Sequence, residues 1–140
     1  MVAKKNLHER RGITFAELGA LMGTRAMLIS GLLKPTNSRW PVSHLHCFNM
    51  AVQGKQQDCG TVSCIGGTMA LIMGKNPVDY VGASLDIGQA SPAFRELFFP
   101  PQIRTTDEWE WITPAIAVKA IDKWLRTGKP GWKALRKAAK

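Results

Sequence analysis

The amino-acid sequence predicts an all-α fold, a compact bundle of about six to eight short helices, with little strand. Gly and Pro divide its 140 residues into short segments. Nearly every segment spaces its apolar residues by three and four, the helical period, rather than by two. Ser91-Pro92 and Thr113-Pro114 each place a hydroxyl cap before a proline suited to a first helical turn. Apolar residues make up 45% of the chain, enough for a single domain over residues 1–140 to bury a core without disulfide or metal.

The elements follow in order. A basic lead-in, Lys4 to Arg11, precedes Gly12. Thr14 to Met22 and Thr24 to Leu33 read as two helices parted by Gly23, with Leu18, Leu21, Ile29 and Leu33 on their inner face. Lys34 to Pro41 is a loop, because Pro35 and Pro41 restrict the residues before them and Asn37 and Ser38 favour turns. Val42 to Val52 reads as a helix and Gly54 to Gly60 as a polar connection. A helix is expected from Thr61 as N-cap to a stop at Gly74, and its paired Gly66 and Gly67 imply that another backbone packs very close. Ser91 opens a helix to about Phe98, ahead of Pro100-Pro101. Thr113 opens one with Ala117, Ala120, Ile121 and Trp124 on one face, ended by Gly128. The tail from Gly131 buries Trp132 and Leu135 and leaves its charges in solvent. The run Asp107-Glu108-Trp109-Glu110-Trp111 reads as a solvated helix start with its tryptophans folded inward.

Charge is the first guide to function. The net charge is +9, distributed as seven Lys/Arg against two acids in residues 1–40, four against seven in 41–118, and eight against one in 119–140. Basic ends around a mildly acidic middle draw a polyanion, and nucleic acid gains from counterion release as its phosphates are neutralised. No stretch is long and apolar enough for a membrane span, and the start has no apolar run to serve as a secretion signal, so a cytoplasmic protein with no membrane partner is expected. Three cysteines, Cys47, Cys59 and Cys64, are an odd number without a secretory context and are expected to be reduced.

The stretch Gly12 to Lys34 resembles the helix-turn-helix of phage-repressor-type DNA-binding domains, in Thr14, Ala16-Glu17-Leu18, Gly23, Ile29-Ser30 and Leu32-Leu33. The resemblance divides the chain into a basic helix-turn-helix-like segment (1–40), a helical core (41–128) and a basic tail (129–140). It implies that Arg25, Ala26, Met27, Ser30 and Gly31 face the major groove. Ala26, Met27 and Gly31 offer no hydrogen bond to a base edge, so Arg25 alone could grip guanine. Phosphate contacts fall to Lys4, Lys5, Arg10, Arg11, Lys34 and Arg39.

A second stretch, Asp58-Cys-Gly-Thr-Val-Ser-Cys-Ile-Gly-Gly67, resembles a Cys-Gly-Thr-x-x-Cys-x-x-Gly box of small uncharacterised bacterial and phage proteins, and the later Leu97-Phe98, Thr113-Pro114, Ala117, Ile121 and Leu125 is similar to the spacing that follows it. That family implies no activity. At a helix N-terminus Cys59 or Cys64 would have a lowered thiol pKa, or Gly60 and Thr61 would hold an anion. His44, His46 and Cys47 could join Cys59 and Cys64 around zinc, although the spacing matches no standard zinc motif, and no metal, cofactor or catalytic residue is assigned. The plainer alternative makes Cys59-Gly60-Thr61 a cap and Ser63 and Cys64 small residues in a helix crossing.

These readings give a non-catalytic helical protein that binds DNA, RNA or another polyanion through its basic termini. The alternatives are a phage or bacterial protein-interaction module with a protein partner, and thirdly a thiol- or metal-dependent activity at Cys59 or Cys64. The sequence specifies no oligomeric state.

Overall fold

Helix starts are set by capping side chains in the computed structural model, which describes residues 6–35, 46–50, 55–57, 60–83, 90–100 and 111–138. Among these residues there are seven α-helices: α1 (Leu7–Arg11), α2 (Phe15–Ser30), α3 (Ile65–Ile72), α4 (Pro77–Ala83), α5 (Arg95–Phe98), α6 (Pro114–Thr127) and α7 (Trp132–Ala138). The helical class expected from the sequence therefore holds. None of these helices is long and apolar enough to cross a membrane.

Thr14 caps α2 as expected: its Oγ1 accepts from Glu17 N at 3.0 Å, and Glu17 Oε1 accepts from Thr14 N at 2.9 Å. Ser91 Oγ accepts from Ala93 N at the start of a 3₁₀ turn (Pro92–Phe94) that runs into α5. Thr113 Oγ1 accepts from Ile116 N to open α6, and Gly128, at φ +84°, closes it. On α6 the face Ala117, Ala120, Ile121 and Trp124 is fully buried, as its spacing requires. The α4 helix, which the sequence reading does not assign, begins where Asn76 Oδ1 accepts from Val78 N and Asp79 N.

The expected break at Gly23 does not occur, and the helix-turn-helix reading is corrected: Phe15 to Ser30 is one continuous helix. A break there would need Thr24 as a new N-cap, but Thr24 Oγ1 instead donates to Ala20 O at 2.9 Å, within the same helix. One interior glycine costs only about 1 kcal/mol, less than the burial of Ala20, Leu21, Thr24 and Leu28 along the unbroken inner face returns. The left-handed turn falls at Gly31, φ +80°, instead. Because the helix keeps its phase, Ile29 points to solvent, 58% exposed, while Leu21 and Leu33 are buried and Leu18 partly so.

The second correction concerns residues 42–63. His46–Phe48, expected in a helix, is strand β2; Lys55–Gln57, expected in a connection, is β3; and Gly60–Ser63, expected to end that connection and, from Thr61, to open a helix, is β4. With β1 (Leu33–Pro35) they form a short sheet in the order β1-β2-β4-β3, where β1, β2 and β4 are parallel and β3 pairs antiparallel to β4. Strands of three or four residues complete barely one alternation, so the sequence carries no period-two signal for them. Residues 42–45, 51–52 and 107–110 lie outside the described residues.

Cys64, not Thr61, is the N-cap of α3, its Sγ accepting from Gly67 N at 3.3 Å. The stop at Gly74, φ +71°, is as expected. The close backbone expected at Gly66 is corrected to close side chains: a Cβ there would lie 2.8 Å from the Phe98 ring and 2.9 Å from Val81. The α3 helix packs on α2 and α4, α2 also on α6, and one apolar cluster runs from Ile13 to Trp132.

Candidate polyanion-binding surface

The two basic ends of the chain meet at the C-terminus of α6. Its last-turn carbonyls lack helical partners, and the Arg11 guanidinium fills that need: Nε donates to Leu125 O at 2.9 Å and Nη2 to Arg126 O at 2.7 Å. This clasp sets α1, with exposed Arg10, beside exposed Arg126 and Lys129. Gly128 and Gly131, both at positive φ, then turn the chain into α7, and Lys123 of α6 lies across that turn: a Cβ on Gly131 would meet its Nζ at 2.7 Å.

The turn walls a groove of about 450 Å³ with Lys129, Pro130 and Lys133 on one side and Arg95, Glu96 and Phe99 on the other. Trp132 Nε1 donates to Glu96 O at 2.7 Å and holds α7 against α5. Arg136 sits over the Trp111 ring at 5.5 Å. Lys123, Arg126, Lys129, Lys133 and Lys137 are all exposed, so the strongest concentration of positive charge lies on α6 and α7. The excess of eight basic residues over one acid in residues 119–140 signals this surface in the sequence, but not its junction with α1.

The residues expected to read DNA are dispersed. Arg25 donates from Nε to Asp122 Oδ1 at 2.5 Å and from Nη2 to Oδ2 at 3.2 Å, a bidentate pair joining α2 to α6. The hydrogen bond to Asp122 raises the Arg25 pKa further. Arg25 is thus already engaged by a carboxylate, and Ser30 Oγ donates back to Met27 O at 3.2 Å. Arg11 is committed to α6, Arg10 is exposed on α1, and Lys34 lies in β1. Lys4, Lys5 and Arg39 lie outside the described residues.

At the Cys-Gly-Thr box, Gly60 and Thr61 belong to β4 and so offer no helix N-terminus to an anion, while Cys59 and His44 lie outside the described residues. Cys64 does occupy the N-terminal end of α3, where the sequence reading expects a lowered pKa. Its thiol pKa is instead raised, because complete burial penalises the thiolate more than hydrogen bonds from Gly67 and Gly66 favour it. Thr68 Oγ1 donates to Cys64 O at 2.7 Å and therefore accepts from Ser63 Oγ at 2.7 Å, so these small polar residues close the strand-to-helix junction. Cys47 is buried on β2 in register with Val62, and neither it nor Cys64 is in a disulfide. Among the described residues no three His, Cys, Asp or Glu side chains are grouped to hold a metal ion.

Burial of Cys64 has a consequence at alkaline pH. Its folded pKa lies above that of an unfolded thiol, about 8.5, so the stabilisation is fully present below that value and is lost as pH rises through it. Tyr80 adds to the loss at higher pH, since burial and its hydrogen bond to Glu17 raise its pKa as well. The unfolding free energy from urea titrations should decline above about pH 9 by up to about 1.4 kcal/mol per pH unit per group, and Cys64→Ala should flatten the first part of that decline. An unchanged slope in the variant would show the thiol to titrate freely.

No protein-family model, curated protein or solved structure matches the chain.

Proposed function

We propose that the protein is a non-catalytic binder of nucleic acid or a similar polyanion, and that it engages the phosphates through the joined surface of α1, the C-terminal half of α6 and α7. The observation that carries this reading is the Arg11 clasp on Leu125 O and Arg126 O, which joins two basic termini, far apart in sequence, at the C-terminus of α6. Arg10, Lys123, Arg126, Lys129 and Lys133 supply the cations, and Lys4 and Lys5 directly precede α1 in the chain. Recognition resting on flexible, exposed Lys and Arg neutralises phosphate without reading bases. The raised pKa of Cys64 favours this reading over thiol catalysis at that residue.

Binding of labelled DNA and RNA across a salt series tests it. Affinity should fall steeply with salt, and reversing Lys129 and Lys133 to Glu together should weaken binding more than about tenfold and flatten the logarithmic salt slope by about two. Arg25→Ala should leave the slope unchanged, since Asp122 already occupies that guanidinium. Absence of binding at low salt, or indifference to the charge reversals, would refute the proposal.

A further inference from the structure

The solvent side of α2 is the reverse of an ordinary surface helix. Every exposed residue from Phe15 to Ile29, namely Phe15, Ala16, Gly19, Met22, Ala26 and Ile29, is apolar or glycine, whereas a solvent-facing stripe is normally charged. The two charged residues of the helix are engaged elsewhere, Glu17 in the core and Arg25 with Asp122. Phe15 is 75%, Met22 43% and Ile29 58% exposed, and they stand seven residues apart, a spacing that sets them in one row. Gly19 and Ala26 form a second row of small residues beside it, and a Cβ on Gly19 would meet nothing within 4 Å.

We propose that this face is the interface of a symmetric homodimer, with the α2 helices of two copies antiparallel across a two-fold axis at Met22. The spacing is self-complementary: Phe15 and Ile29 lie seven residues either side of Met22, so antiparallel pairing sets Phe15 against Ile29 of the second copy and Met22 against itself. The small row of Gly19 and Ala26 then flanks this seam and lets the two helices approach closely, and the helix dipoles oppose rather than align. A parallel pair would instead stack Phe15 on Phe15.

With Leu32, 63% exposed just beyond Gly31, the apolar side chains offer on the order of 450 Å² per copy, at the upper end of patches tolerated on a monomer. Two such faces together remove about 900 Å², and the small residues bring the total near the 1,000 Å² of a specific interface. Charge argues for a second copy over other occupants. A lipid surface selects helices that carry free Lys and Arg on their polar face, whereas the one cation of α2, Arg25, is paired with Asp122, and an acidic protein would be drawn to α6 and α7. The inference is independent of polyanion binding.

The test is the mass of the full chain by sedimentation equilibrium from about 1 to 200 µM. A dimer is expected, and Met22→Asp and Ile29→Asp should each raise its dissociation constant at least about thirtyfold by burying carboxylates against an apolar face. Val78→Asp, at the exposed apolar position on α4, should leave it unchanged. Circular dichroism of the variants should match the parent, because both substituted side chains on α2 are exposed. Met22→Cys should oxidise to a covalent dimer across the axis, whereas Val78→Cys should not. A monomeric parent over this range, a dimer indifferent to both aspartates, or a persisting dimer in which Met22→Cys fails to cross-link would overturn the proposal.

Discussion

Trp124→Ala is expected to lower the unfolding free energy by about 3–5 kcal/mol, among the largest losses a single core truncation produces. Trp124 is 1% exposed and stacks on Phe94 at 5.1 Å, Phe94 stacks on Phe98 at 4.8 Å, and the Phe98 ring lies against Gly66. Three rings thus carry the contact from α6 through α5 to α3, across the middle of the core. The indole Nε1 also donates to Ala93 O at 3.3 Å. Truncation opens a cavity and strips that carbonyl of its donor, and for a chain of this length the melting temperature should fall by roughly 10–15 °C. Trp124→Phe keeps the stack and loses the donor and some volume, so about 1–2 kcal/mol is expected from urea unfolding. A loss below about 1 kcal/mol for the alanine variant would mean that the three rings do not form the central contact.

Tyr80→Phe is expected to cost about 1.5–3 kcal/mol although it removes one oxygen and creates almost no cavity. Glu17 is 4% exposed, and its carboxylate is sustained by three donors: Thr14 N at 2.9 Å on Oε1, and Tyr80 OH at 2.6 Å and Ser91 N at 3.4 Å on Oε2. Without the phenol, Oε2 keeps, among the described residues, only the long bond from Ser91, and a buried charge is left poorly satisfied. Adding Glu17→Leu to Tyr80→Phe removes the stranded group, so the double variant should recover part of the sum of the single losses in a double-mutant cycle. Strict additivity in denaturant unfolding would show that the two side chains do not interact. The network also explains a tie that burial of apolar groups alone would leave loose, since Ser91 Oγ donates to Gly12 O and closes the loop between α1 and α5.

Both predictions concern positions whose partners are far away in the chain, and this divides what the sequence reveals from what it conceals. Thr14, Ser91 and Thr113 act locally, on an N–H two or three residues ahead, so the starts of α2, the turn before α5 and α6 were readable one segment at a time. The inner face of α6 was readable for the same reason, since its period is a property of the helix itself. The glycine stops at Gly74 and Gly128 need only a left-handed backbone.

Tertiary packing decided the rest. Gly23 could serve as a turn or as a helix interior, and α3 and α6, both packed on α2, favour the straight helix. The same choice, which undoes the helix-turn-helix reading, turned Ile29 outward and sent Arg25 to Asp122. Residues 46–48 and 60–63 are too short to show alternation and become strands only by pairing with each other and with Leu33–Pro35. Cys64 illustrates the limit most directly: its place before a helix is local and lowers a thiol pKa, but its complete burial is global and raises it further than the helix lowers it. The sequence by itself determined the helical class, the caps at Thr14, Ser91 and Thr113 and the excess of positive charge at both ends. Only the folded chain brought those ends together, because the carbonyls that receive Arg11 lie more than a hundred residues away and no local pattern encodes that distance.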